Sequence, residues 1–442
     1  MAKAIKPRER EAIIQSLRAG VTPRTGLHHI QVGRAGEVEA LVTNIDTIID
    51  NGAVFRLVIG DFGSGKSFFL RLVRQIALEK GLVTVSSDLS PDRRLHSTSG
   101  QAKSLYNELM RNMSTRTKPD GGALPSIVEK FIIVCRKQAE EENQEVEKVV
   151  HEKLHQVEEL VGGYDFARVV TLYYQGYEQG NENLQNDAIR WLRGEWPTKT
   201  EARQALGVRS IVEDSTVYDY LKIWSLFVQA AGYGGLLVSI DELVNLYKLG
   251  NKQARVSNYE QILRILNDCL QGSANSIGFV MGGTPEFLLD PRKGLYSYEA
   301  LRSRLAENTF AKQAGVVDYS SPTLHMNNLN PEEMYILLKN IRLVFAAGDE
   351  DNLLLPDEAL KAFLAHCHEK IGESYFRTPR NTIKAFVDLL TVLDQNSQVE
   401  WQQLIQSVKV ENESNTAMPE LESSERQEKK AEDNEQLSSF TL

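Results

Sequence analysis

Ala53-Val54-Phe55-Arg56-Leu57-Val58-Ile59-Gly60-Asp61-Phe62-Gly63-Ser64-Gly65-Lys66-Ser67 decides the fold. The run from Ala53 to Ile59 is short, mostly apolar and bounded by glycines, which is how a strand buried in a parallel sheet reads. Gly60 to Ser67 then satisfy the spacing of a phosphate-binding glycine-rich loop. Apolar periodicity of a helix follows over Phe68–Lys80, and Leu82–Asp88 reads as another buried strand. Strand, loop, helix and strand make a βαβ unit. In such a loop the backbone N–H groups of Gly60, Asp61, Phe62, Gly63, Ser64 and Gly65 wrap phosphates, and the helix N-terminus adds partial positive charge. Lys66 is placed to reach the β- and γ-phosphates of ATP, and Ser67 to give Mg²⁺ a hydroxyl ligand.

Downstream, about 150 residues separate Asp88 from the next convincing strand, Gly235–Ile240, although a parallel crossover needs only about a dozen. The excess is an insertion of helical spacing. Within it, Lys130–Leu160 is rich in Glu, Lys and Gln and carries an apolar stripe of Ile133, Val134, Val146, Val149, Val150, Leu154, Val157 and Leu160, as a largely solvated helix or helix pair would. The strand at 235–240 ends in Asp241-Glu242. Asp241 is positioned to hold Mg²⁺ and Glu242 to polarise the attacking water as general base; the plainer alternative is an acidic cap after a buried strand. Ser276–Thr284 reads as a third core strand, and Val316-Val317-Asp318-Tyr319 as a fourth. Three amphipathic helices follow, Asn330–Ala346, Pro356–Ile371 and Thr378–Leu393, the first opened by Asn330-Pro331-Glu332-Glu333. They form an all-helical lid.

The chain has 442 residues, 42% hydrophobic and 25% charged, with a net charge of −10. That is ample for several folded domains. Residues 411–442 hold nine acidic and three basic side chains, a local −6, so the remainder carries −4 and leaves room for a local basic patch. From about Val410 onward few large apolar residues occur, and a disordered tail is expected. Cys135, Cys269 and Cys367 lie far apart, which argues against a disulfide framework and for a reducing cytoplasm. His366-Cys367-His368 lacks a second ligand pair, so zinc is not expected there. No apolar stretch approaches the length of a membrane span, and Met1–Arg10 lacks the apolar core of a signal peptide.

The order of these motifs resembles that of the AAA+ ATPases. That likeness makes Thr284, after Gly282-Gly283, the sensor 1 residue, with helix capping as its alternative role. In Leu301-Arg302-Ser303-Arg304-Leu305 it makes Arg304, or else Arg302, an arginine finger supplied to a neighbouring subunit. Phe376-Arg377-Thr378-Pro379-Arg380-Asn381 is similar to the sensor 2 region of the replication-initiator branch, with Arg380 the better match and Arg377 the reserve. Val32-Gly33-Arg34-Ala35-Gly36-Glu37 resembles the Gly-Arg-x-x-Glu element that frames adenine, which assigns Arg34 to the nucleotide.

Val21-Thr22-Pro23-Arg24, Ser90-Pro91-Asp92-Arg93-Arg94-Leu95-His96 and Tyr375–Arg380 extend the likeness to the BrxD family of BREX phage-defence ATP-binding proteins. The resemblance implies an ATPase using ATP and Mg²⁺, a homo-oligomer, a helicase partner and action on or near DNA; Arg93 and Arg94 could touch DNA or a neighbouring subunit, or be an ordinary solvated surface pair. A nucleotide-gated signalling switch or a scaffold without DNA-coupled activity is the alternative. The divisions expected are 1–35 (N-terminal helix and adenine-framing segment), 36–97 and 231–325 (the two parts of an α/β P-loop core), 98–230 (helical insertion), 326–409 (lid) and 410–442 (tail).

Overall fold

The computed structural model describes residues 5–396 and 398–407; the acidic tail lies outside them. Strands β1 (Ala53–Gly60), β2 (Val83–Asp88), β3 (Leu236–Asp241), β4 (Ile277–Gly283) and β5 (Thr323–Met326) form one parallel sheet in the order β2-β3-β4-β1-β5, flanked by helices. This is the α/β P-loop core expected from Ala53–Ser67. β3 and β4 are buried at every residue, and β1 at every residue after Ala53. Their continuous apolar runs are what two covered sheet faces demand. Register runs Val83↔Leu236 to Asp88↔Asp241 between β2 and β3, and Leu236↔Ile277 to Ile240↔Met281 between β3 and β4.

One expectation is corrected. Val316–Tyr319 is not a strand; β5 comes later, at Thr323–Met326. Val316 and Val317 are exposed, and the Asp318 carboxylate accepts from the Ser320 N–H at 2.9 Å and the Ser320 hydroxyl at 2.5 Å. That side-chain-to-backbone bond makes a turn and competes with a ladder.

The described residues fall into two compact units. One gathers the residues up to Val38, Val58–Val73 and those from Leu324 onward. In it the helix Pro7–Arg18, with proline at its first turn, buries Ile13, Ile14 and Leu17 against the helices Pro331–Phe345 and Pro379–Gln395. Met334, Leu338, Ile341, Phe363, Phe386 and Leu390 complete that core. Asn330 and Glu333 close a reciprocal capping box, with Asn330 Oδ1 accepting from the Glu333 N–H at 2.8 Å and Glu333 Oε2 from the Asn330 N–H at 3.0 Å. Two otherwise orphaned donors are thereby satisfied.

The other unit comprises Glu39–Leu57 and Arg74–Thr323. Its inserted helices have an apolar centre of their own. Leu124–Glu142 and Val146–Glu158 are a helix pair, as the periodicity suggests, with Val149, Val150, Leu154 and Val157 buried but Ile133 exposed. The centre is aromatic: Phe166 lies edge-on to Trp224 and Phe227, each at 5.2 Å between ring centroids. The Trp224 indole donates to the Tyr106 hydroxyl at 2.9 Å, which donates to the Leu192 carbonyl at 2.8 Å. Burial holds the Tyr106 phenol far above its ordinary pKa, so it stays a neutral donor. Tyr106→Phe keeps the ring but orphans the indole N–H and the carbonyl. It is expected to cost about 1–3 kcal/mol, measured by chemical unfolding against the wild type.

Candidate functional site

β1 ends at Gly60 and the next helix, Lys66–Glu79, begins at Lys66. Three glycines of the intervening loop have separate reasons to lack a side chain. A Cβ on Gly60 would lie 2.5 Å from Ser64 Oγ and 3.0 Å from the Met326 carbonyl of β5. Gly63 and Gly65 hold left-handed φ values of 83° and 82°, a region that L-residues with a Cβ pay to enter. Gly63 is also crowded: its Cβ would meet Thr378 Cα at 3.1 Å and the Arg377 carbonyl at 3.2 Å. The loop is therefore a bare backbone pressed between β5 and the start of a lid helix.

Lys66 Nζ donates to the carbonyls of Gly60 at 2.7 Å and Asp61 at 2.8 Å, which places its charge across the loop. The 14-residue helix behind it directs its positive end to the same place. Ser67 is exposed, as is Phe62, whereas Ser64 is buried. The Asp61 carboxylate accepts from Asn328 Nδ2 at 3.4 Å.

Arg34 packs against the loop. Its guanidinium donates to the Ser64 carbonyl and, at 3.3 Å, to the Asn327 carbonyl. Nη1 stands 3.2 Å from where a Gly65 Cβ would be. Gly33 and Arg34 are both left-handed, at φ 65° and 60°, and that double turn swings the side chain inward. Burial lowers the Arg34 pKa, opposed by Glu37 and Glu333. The guanidinium keeps its proton at neutral pH all the same.

The two lid arginines differ. Arg377 pairs with Glu373 at 2.6 Å on the surface. Arg380 lays its stem over Gly20, with Cδ 3.4 Å from a Cβ built there.

In the other unit, Asp241 closes β3 opposite Asp88, is nearly buried, and accepts the Glu242 N–H at 2.8 Å. Glu242 itself has φ 62°. A non-glycine residue without a short polar side chain pays on the order of 1–3 kcal/mol for that backbone. The turn is pinned by Leu89 N–H to the Asp241 carbonyl and Leu243 N–H to the Gly282 carbonyl, both at 3.0 Å. Thr284 caps the helix Pro285–Leu289, its hydroxyl accepting from the Phe287 N–H at 3.4 Å. Arg302 pairs with Glu299 at 2.7 Å, and Arg304 donates to the Ala300 carbonyl of its own helix at 2.9 Å.

Arg93 and Arg94 are not a solvated pair. Arg94 is buried and donates to the Pro91 carbonyl at 3.1 Å, while Arg93 stands 3.5 Å from Glu108. Arg94 braces its own loop, and Arg93 reaches the helix Gln101–Arg111. Cys367 is buried, and burial pushes its thiol up to about 12.

The sequence reading passed over Asp88, at the carboxyl end of β2, and the asparagines after β5, Asn327 and Asn328, which touch Arg34 and Asp61. A polar residue ending a buried strand and an Asn cluster following one were the available signals.

A family model described as BREX system ATP-binding protein BrxC/D matches residues 5–409. No curated protein matches the chain. Among the described residues, no helix is long and apolar enough to cross a membrane.

Arg34→Ala removes the donor to Ser64 and is expected to weaken ATP binding about tenfold, the scale of one charge-assisted bond, read by titration with a fluorescent ATP analogue. Glu242→Gly, which relieves the left-handed strain, should raise stability by about 1 kcal/mol; Glu242→Gln, with the strain kept, should not. Thermal unfolding compares the two.

Proposed function

The chain belongs to the family of BREX system ATP-binding proteins BrxC/D, which implies ATP binding in a phage-defence system, and from that premise we propose that it hydrolyses ATP to ADP and phosphate with Mg²⁺. The observation that carries the proposal is Glu242, a carboxylate held at φ 62° next to Asp241 at the end of a buried strand. Strained backbone persists where the surroundings impose it, and it gathers at functional sites. A cap needs no such strain.

In this reading the loop N–H groups and the helix end take the β- and γ-phosphates, and Lys66 exchanges its carbonyl partners for phosphate oxygens. Ser67 and Asp241 are hard oxygen donors suited to Mg²⁺. Bound there, the ion would neutralise charge on the transferring phosphoryl group. Glu242 accepts a proton from water as the water oxygen bonds to the γ-phosphorus and the bond to the bridging oxygen breaks, releasing ADP. Arg34 supports the loop from below. Thr284 would add a hydroxyl contact to its capping role. Arg380 would read the γ-phosphate from the lid, and Arg304 would serve a neighbouring copy in a homo-oligomer. Membership in a defence system implies partners; a helicase, and action on or near DNA, are the forms proposed here.

The close fit of Gly63 against Thr378 favours a switch function alongside hydrolysis. Phosphates that reshape the loop also press on the first turn of a lid helix, so binding becomes motion.

Steady-state ATPase rates test the proposal, for wild type, Lys66→Ala and Glu242→Gln, with and without single-stranded and duplex DNA. Lys66→Ala should lose ATP binding. Glu242→Gln should bind ATP yet hydrolyse it at least about 100-fold more slowly; hydrolysis at the wild-type rate would remove Glu242 as base. DNA stimulation supports action on DNA, and unchanged rates favour the switch. ATP-dependent hydrogen exchange over residues 374–382 reports the lid.

A further inference from the structure

The helix Pro7–Arg18 and the one-turn helix Leu27–Ile30 meet at three side chains that the ATP reading leaves unused. Glu9, His28 and His29 each direct a ligand-type atom to a common point, all within 4.8 Å of one another. His29 Nε2 is 3.7 Å from Glu9 Oε2. The imidazoles of His28 and His29 lie 3.9 Å apart between centroids, tilted by 41°. Neighbours on a regular helix diverge, but this helix is four residues long and is entered from Gly26 at φ 72°, so both rings turn to one side.

The backbone is built for the approach. A Cβ on Gly26 would lie 2.6 Å from Ile13 Cδ1 and 2.9 Å from Glu9 Cγ, so only glycine lets the two helices come this close. Each helix is anchored from beneath, one by Ile13 and Leu17 and the other by Leu27 and Ile30, all buried. The ligand atoms thus start near their final places, which lowers the ordering cost of binding.

We propose that Glu9, His28 and His29 bind a divalent transition metal of the zinc class. Two imidazoles and a carboxylate are a zinc donor set, and imidazole selects against Mg²⁺ and Ca²⁺. Tetrahedral zinc with bonds of about 2.0–2.2 Å places ligand atoms about 3.4 Å apart, close to the Glu9–His29 separation. The fourth position opens to solvent, because His28 is exposed. The ion would tie the N-terminal helix to the segment leading into Gly33 and Arg34. Nothing in this assignment depends on ATP hydrolysis.

The full chain, prepared without a histidine tag and stripped by chelation, is titrated with Co²⁺ by visible absorption and with Zn²⁺ by equilibrium dialysis. One equivalent should bind, with the absorption of a low-coordinate Co²⁺ site. His28→Ala/His29→Ala should lose it, and Glu9→Gln should weaken it by more than the roughly 10–100-fold that removal of an outer-shell partner costs. His366→Ala/His368→Ala should leave it unchanged. Melting in metal-free buffer checks that the variants fold; if the double variant does not, Glu9→Gln and the single histidine variants decide. Metal retained at wild-type affinity in the folded variants overturns the proposal. So does a wild type that binds no metal at micromolar concentration, which would leave Glu9 and His29 as a close polar contact only.

Discussion

The closeness of backbone to backbone at the phosphate loop is the constraint on which the rest of the site depends. Gly60 leaves no room for a methyl group against Ser64 and the Met326 carbonyl, and Gly63 none against Thr378. Glycine at these positions keeps side chains away from the loop N–H groups, which are what binds phosphate. The same lack of room links the loop to whatever packs on it. Met326 of β5 and Thr378, the residue before the helix Pro379–Gln395, both lie close against the loop, so a change in loop shape would press on that helix start.

Two other residues hold a backbone conformation that costs stability. Arg34 and Glu242 both sit in the left-handed region, where neither side chain gains from the backbone it adopts. At Arg34 the half-buried guanidinium donates to the Ser64 carbonyl. At Glu242 the backbone is fixed by its neighbours, through the Asp241 carboxylate and the Gly282 carbonyl. Local preference is overruled at these two positions, while the strands and caps around them agree with it.

Much of this was legible in the chain itself. Gly60–Ser67 gave the core because glycine spacing, strand and helix all agree there, and Asn330-Pro331-Glu332-Glu333 marked a helix start that the structure forms. Misreadings arose where a side chain changed the balance. Val316-Val317 looks like a strand, but Asp318 bonds its own backbone two residues on and turns the chain. The charge of Lys130–Leu160 drew attention to the wet face of a subdomain whose centre is Phe166, Trp191, Trp224 and Phe227, residues spread too widely in sequence to register as one cluster. The direction of Arg34 was not legible: two successive positive φ values turn it toward the loop, and periodicity carries no information on φ.

The account makes the bare loop a phosphate site above all. Calorimetric titration of the wild-type chain with ATP, ADP, AMP and adenosine tests that most directly. Affinity should fall steeply once the β-phosphate is gone, with adenosine bound weakly or not at all. Equal affinity for adenosine and ATP would contradict it, because binding would then come from the base and not from the loop between Gly60 and Ser67.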